Sequence, residues 1–512
     1  MKRGVVPGRI LLYFSAVMLL ALLAFSWSMP PVDASGFRQT QTALTIEWLA
    51  RGYPFFSYIT PVVGAPWSIP FEFPLFQWLA AVLSNATGME VGNAARVVSS
   101  LFHIGSIWVL YRIVLAFRAD PVLALCIAAA YAMSPYAQFW GRSVMMESTA
   151  VFFGLAFVWA MARLHAGARW YWGAIAIAAA VLSALVKVTT FFGFAFFVAV
   201  AFAWLALREH GWRPQWLRQH GALMVWGVLS AVAVLAVMVA WLDHADTLKA
   251  QSPIGEQLTS SALSRWNYGT LQQRLDPATW WGTLFKRRFP AAVGSNWVFL
   301  IILVAGVSIA RIRAAVLLLL VAYLAPFLVF TNLHIAHPYY QAANVVFATS
   351  IVGLVIWWVI QRAEVSGRTR RPIWLVALLC LLSFGYTAGH YLKNMKEARA
   401  PTQVSEIARA IKGGTAENTV IVAFGLDWSS ELPYFAGRRA VMVPDWAAPK
   451  VLQSLAGSDA MLGDGKLGAL VNCPNQIAQD PGRALLQQQI LQKYSAGATA
   501  QSIKGCEVWL QP

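Results

Sequence analysis

Apolar runs of roughly 17–25 residues, long enough to cross a bilayer as a helix, recur at 10–29, 94–114, 120–138, 147–164, 170–186, 189–206, 221–242, 294–310, 312–330, 343–361 and 373–391. The pattern predicts about eleven transmembrane helices. Short breaks at Lys187 and Arg311 make each flanking pair a helical hairpin. Within 120–138, Ser134-Pro135 predicts a kink or a stop. Proline lacks the N–H and disfavours helical geometry in the residue before it.

Three stretches between the runs are long. Residues 30–93 carry short amphipathic segments at 41–50 and 74–83, of the kind that lie in a membrane interface. Residues 243–293 are polar and turn basic near their end. Residues 392–512 have the size of one domain. They alternate helical patterns at 403–412 and 482–493 with strand-like runs at 419–424, 439–443, 468–472 and 506–510. The predicted organisation is a polytopic α-helical membrane module over 1–391, with outer loops 30–93 and 243–293, and a small α/β domain over 392–512. The chain shows no internal repeat and no low-complexity tract.

Composition removes the alternatives. Of 512 residues 58% are apolar and 12% charged, against roughly 45–50% and 25% in soluble domains. That excludes a soluble domain, a disordered chain and a disulfide-stapled scaffold. The net charge of +17 would suggest nucleic acid on a soluble chain, but its positions say otherwise. With the N-terminus inside, the inner segments hold Lys2, Arg3 and Arg9, then Arg112 and Arg118, Arg163 and Arg169, and Arg208, Arg213 and Arg218. Arg311 and Arg313, then Arg362, Arg368, Arg370 and Arg371, complete the series, against only Asp120, Glu209 and Glu364. This is the positive-inside pattern, and it predicts N-in/C-out. The first apolar run exceeds the 7–15 residues of a signal-peptide core, so it is expected to stay as a helix. Cys126 and Cys380 fall in apolar runs as small hydrophobes. Cys473 and Cys506 fall outside, where an oxidising compartment permits a disulfide; the alternative is two buried thiols.

Once oriented, the chain collects its unusual polar residues on the outer face. Ionisable groups near lipid are costly and mark function. They are Asp33, Arg38 and Gln41, Glu72, Arg142 and Glu147, Lys187, Lys286-Arg287-Arg288, and His334 with His337, Tyr339 and Tyr340. Each has a plainer role too. Glu147 suits a helix first turn or a pair with Arg142, Lys187 suits snorkelling, and the basic triplet suits anionic headgroups. Together they suit a carboxylate base acting on an acceptor hydroxyl, with Lys and Arg holding a departing phosphate. No P-loop, His-Glu-x-x-His or Gly-x-Ser-x-Gly motif is present. His334 and His337 stand three apart without a neighbouring carboxylate or Cys, so no metal site is expected there.

These residues resemble the GT-C glycosyltransferases, in the glycosyltransferase family 39-like branch of bacterial protein mannosyltransferases and lipid A aminoarabinose transferases. Phe37-Arg38-Gln39-Thr40-Gln41-Thr42-Ala43 is similar to an aromatic-Arg-Gln-x-Asp-Thr-Ala motif, with Gln41 where the family subgroup has Asp. Glu72-Phe73-Pro74-Leu75 is similar to the acid-x-Pro-Leu segment of the same loop. Arg142 with Glu147 resembles an Arg followed by Pro-acid, with Met146 replacing the proline. His337-Pro338-Tyr339-Tyr340 resembles His-Asp-Tyr-Tyr, and Gly425 to Tyr434 resembles the turn opening the soluble domain.

The resemblance implies a membrane glycosyltransferase of the bacterial inner membrane. It would move one sugar from a polyprenyl-phosphate donor to a lipid, glycan or protein acceptor at the periplasmic face, with inversion. Glutamine is no base, so the first-loop carboxylate passes to Asp33, which would be the base or would orient the acceptor, and Glu147 would position a sugar hydroxyl or the acceptor. Lys187 and the basic cluster bind the leaving phosphate; Arg38, Gln41, Glu72, Arg142, His337, Tyr339 and Tyr340 line the substrate. No cofactor is firmly implied, although a divalent cation is admitted. Rival readings are a flippase of lipid-linked sugars, a surface-glycan polymerase or ligase using a lipid diphosphate, and a non-enzymatic assembly subunit.

Overall fold

The computed structural model describes residues 5–210, 214–367 and 370–511. Of the inner basic series, Lys2, Arg3, Arg213 and Arg368 lie outside the described residues. The chain divides into two compact units, one of residues 1–27, 96–239 and 265–394, the other of 28–95, 240–264 and 395–512.

The first unit is helical. Long apolar helices include Val6–Ser26, Val91–Phe117, Glu147–His165, Pro338–Val365 and Arg371–Glu397. The helix Gln341–Val365 is the buried centre, packed against Pro121–Met133, Arg313–Val329 and Asn296–Ser308. By contrast, Val225, Val232 and Leu235 on the helix Pro214–Lys249 are each more than half exposed. A long apolar face without protein cover is stable only against hydrocarbon. This is the polytopic helical membrane fold expected from the apolar runs. Among the described residues seven helices are long and apolar enough to span, or up to nine if each of two bent pairs is one span.

The breaks have local causes. The helix Pro121–Met133 stops at Ser134, and Pro135–Gly141 restarts at an angle of 66°. Ser134 Oγ accepts from the Ala137 N–H and donates to the Ala291 carbonyl at 2.9 Å, satisfying the backbone the proline disrupts. Tyr171–His210 is interrupted by the extended backbone of Lys187 (φ −164°, ψ 96°).

The second unit holds a five-stranded sheet: β1 (Val420–Phe424), β2 (Arg439–Val443), β3 (Leu467–Asn472), β4 (Thr499–Ile503) and β5 (Cys506–Leu510), in the order β2-β1-β3-β5-β4. β1 pairs parallel with β2 and β3, and β5 pairs antiparallel with β3 and β4. β1 is buried throughout, as a central parallel strand should be. The outer edge of β2 is covered by the first loop, where the Ala440 and Met442 N–H groups donate to Pro61 and Val62 carbonyls at 3.0 and 2.9 Å. The second loop joins through Ser252 Oγ to the Val63 carbonyl at 2.9 Å. Cys473 and Cys506 form a disulfide one step beyond the Asn472–Glu507 pair of β3 and β5.

Candidate functional site

In the second unit the chemistry gathers at the start of the helix Gly36–Ala50, whose residues 39–46 are all buried. Ser35 enters it in the left-handed conformation (φ 51°). Asp33 is 3% exposed. Gln39 Nε2 reaches back to donate to Asp33 Oδ1 at 2.8 Å and to the Ala34 carbonyl at 2.6 Å, which fixes the carboxylate. Arg38 and Gln41 share a helix face by their spacing of three. Arg38 donates through Nη1 to Gln41 Oε1 and through Nη2 to Glu72 Oε1. Gln41 thus offers Arg38 a neutral oxygen, while Glu72 supplies the charge. Tyr58 OH donates to the Glu72 carbonyl at 2.9 Å, and Trp241 Nε1 to the Phe71 carbonyl at 3.1 Å, holding that segment. Trp428 meets Phe37 edge-on at 4.9 Å and lies 5.9 Å from Phe71. On either side of it, burial raises the carboxyls of Asp427 and Glu431 above the usual range.

In the first unit, Glu147 opens the helix Glu147–His165 and is 1% exposed. Its partner is Lys187, whose Nζ donates to Glu147 Oε1. The break at Lys187 turns that ammonium toward two rings, 4.8 Å from the centroid of Tyr339 and 4.3 Å from that of Tyr340. Glu147 Oε2 is buried and has no hydrogen-bond partner among the described residues. Tyr136 OH donates to the Pro338 carbonyl, anchoring the turn that carries the tyrosines. The His337 ring stacks on Tyr339 at 5.2 Å.

The basic triplet divides. Lys286 and Arg287 are exposed, whereas Arg288 is buried and donates through Nη2 to the His334 carbonyl at 2.7 Å. Burial, reinforced by Arg288 and Lys187, pushes His334 down to about 3. It is neutral at working pH, and its Nδ1 accepts from Gln341 Nε2 at 2.9 Å. Arg142 is fully buried with its guanidinium 4.4 Å from the Phe139 ring centroid. Among the described residues no group of three His, Cys, Asp or Glu side chains converges as a metal ion would require.

Sequence reasoning passed over Tyr136, Trp241, Gln341 and Lys249. Tyr136 looks like filler in an apolar run, although Pro135 places it at a helix start. Lys249 lies beyond the run 221–242, yet its Nζ sits 4.9 Å from the Phe71 ring and donates to Asp246 at 2.9 Å.

No protein-family model matches the chain, and no curated protein matches it in sequence. Solved structures do match in fold. ArnT from Cupriavidus metallidurans bound to undecaprenyl phosphate is 12% identical, with a TM-score of 0.63 over 99% of this chain and 98% of that one. The archaeal oligosaccharyltransferase AglB from Archaeoglobus fulgidus, in complex with an inhibitory peptide and a dolichol-phosphate, is 12% identical, with a TM-score of 0.51 over 98% and 74%. The arabinofuranosyltransferase AftD from Mycobacteria is 14% identical, with a TM-score of 0.51 over 98% of this chain and 40% of that one. Over nearly its whole length, therefore, this chain has the fold of the GT-C membrane glycosyltransferases.

Proposed function

We propose that this protein is an integral-membrane glycosyltransferase. It moves one sugar from a polyprenyl-phosphate donor to an acceptor at the outer, periplasmic face, with inversion at the anomeric carbon. The observation that carries the reading is the end-to-end likeness to ArnT, a protein solved with undecaprenyl phosphate bound. The buried Lys187, beneath two tyrosine rings, adds a cation suited to a phosphate.

In this reaction an acceptor hydroxyl oxygen bonds to the anomeric carbon and gives its proton to the Asp33 carboxylate. The bond from that carbon to the phosphate oxygen breaks, and the electron pair leaves on the phosphate. Gln39 orients Asp33 as base. Lys187 stabilises the charge developing on the leaving phosphate, while the open Oε2 of Glu147 accepts a donor-sugar hydroxyl. Tyr339, Tyr340 and His337 are assigned to the donor sugar, Arg38, Gln41 and Glu72 to the acceptor, and Arg142 and Arg288 to the phosphate. The N-terminus lies in the cytoplasm.

The test is transfer by purified protein in proteoliposomes. Asp33→Asn should lower the rate about 10²–10⁴-fold, the range for loss of a general base, without changing the melting temperature. Full activity in Asp33→Asn would remove Asp33 as the base.

A further inference from the structure

A second site lies at the far end of the helical unit from Lys187. A cavity of about 390 Å³ is walled by Leu155, Val158, Phe194, Leu319, Phe347 and Leu354. That is within the usual range of ligand pockets. Arg118, Arg311 and Trp357 also line it. Trp357 lies about 24 Å along the helix from Gln341, at 1.5 Å per residue, and hence far from the Tyr339–Tyr340 turn.

The polar group is built rather than incidental. Asp120 Oδ1 accepts the Val122 and Leu123 N–H groups at 3.0 and 3.1 Å, capping the helix Pro121–Met133. Its Oδ2 accepts Trp357 Nε1 at 2.9 Å, which fixes the indole plane. Arg118 and Arg311 then place their guanidinium carbons 4.9 and 5.3 Å from that ring centroid. Both side chains are exposed, and neither makes a salt bridge among the described residues. Stacking on tryptophan holds a guanidinium while leaving its N–H edge open, the geometry that takes a phosphate bidentately. Asp120 is committed to the cap and the indole, so two cations face outward at the rim of an apolar cavity.

An ordinary hydrophobic void would hold any hydrocarbon end. Two unpaired arginines at its rim select an amphiphile whose head carries net negative charge. We propose that this end of the membrane unit is a binding site for an anionic diacyl phospholipid of the surrounding bilayer, its phosphate on Arg118 and Arg311 and one acyl chain in the cavity. Both arginines belong to the basic series that orients the chain, so the lipid comes from the inner leaflet.

Native mass spectrometry of the full-length protein, extracted from its own membranes and then titrated, tests this. Phosphatidylglycerol should be retained at least tenfold over phosphatidylethanolamine, with loss of that preference in Arg118→Gln/Arg311→Gln. Arg118→Lys/Arg311→Lys keeps charge without the fork and should hold an intermediate amount. Leu319→Trp fills the cavity and should lower retention of both lipids with the arginines intact. Equal retention of the two lipids, or an unchanged preference in the Gln variant, would overturn the proposal. So would preferential retention of polyprenyl phosphate, or inorganic phosphate displacing the lipid at equal concentration.

Discussion

Within each unit the polar residues are held by their own neighbours before any substrate arrives. Glu147 and Lys187 form an ion pair with side chains 2% and 5% exposed. Removing one partner of such a pair strands a buried charge and costs about 3–5 kcal/mol, while removing both costs far less. Glu147→Gln and Lys187→Met should therefore each destabilise the protein strongly in thermal unfolding, and the double variant should recover most of the loss. Additive losses would mean the two are not coupled. Activity separates their roles, because the double variant should fold yet remain inactive without a cation for the phosphate.

Glu47, on the helix that begins just after Asp33, is a pH-sensitive member of this set. Burial lifts its carboxyl from 4.5 to about 7; Arg51 opposes the rise and Glu90 adds to it. A carboxyl whose folded value is raised contributes most stability below its unfolded value and loses it as pH climbs to the folded one. The helix Gly36–Ala50 should thus become less protected from hydrogen exchange, after correction for intrinsic rate, as pH rises from about 4.5 to about 7. Glu47→Gln should flatten that dependence.

At the scale of elements, what the chain declares in its sequence follows from which physical signal is strong. The apolar runs and Pro135 mark helices and a break because length, hydropathy and a missing N–H act locally. The strands β1, β2, β3 and β5 match apolar stretches. β4 does not: Thr499 to Ser502 are exposed and only Ile503 is half-buried, so its register against β5 makes it a strand. Lys504 and Gly505, both at positive φ, close that hairpin, a turn signal weaker than the usual Asn-Gly. Side-chain partners were less legible still. Arg142 stands five residues from Glu147, but Glu147 is paired with Lys187, forty residues away; tertiary packing decides such choices. The motif residues Arg38, Gln41 and Glu72 meet as their grouping in one loop suggests, whereas the Tyr136 anchor carries no signal beyond the proline before it.

The disulfide belongs to this scale. It closes a separation of 33 residues between β3 and β5. Loop-closure entropy then gives about 3–4 kcal/mol to the second unit. Cys473→Ser/Cys506→Ser should destabilise the sheet-bearing unit by about that amount, read by proteolysis of residues 395–512 in the intact protein. Unchanged protease resistance would mean that hairpin packing alone suffices.

For the whole molecule, charge and hydropathy act together. The excess of Lys and Arg sits in the segments that the positive-inside pattern predicts to face the cytoplasm, and the chain's chemistry is proposed on the opposite face. The fold likeness to ArnT extends over nearly the entire chain at 12% identity. Such a fold survives wide sequence change because its apolar helices need only length and hydropathy, while specific chemistry needs a handful of buried polar residues. The substrate reading is carried by the likeness to ArnT, and the roles proposed for those residues are what mutation tests.

The most direct measurement follows one labelled sugar. Protein reconstituted in proteoliposomes with a sugar-labelled polyprenyl-phosphate donor and extracted envelope acceptors is sampled for both products. Label should move to the acceptor with inverted anomeric configuration, one polyprenyl phosphate should appear per sugar transferred, and Asp33→Asn should slow both about 10²–10⁴-fold. Label that crosses the bilayer still attached to its carrier, with no polyprenyl phosphate released, would contradict sugar transfer.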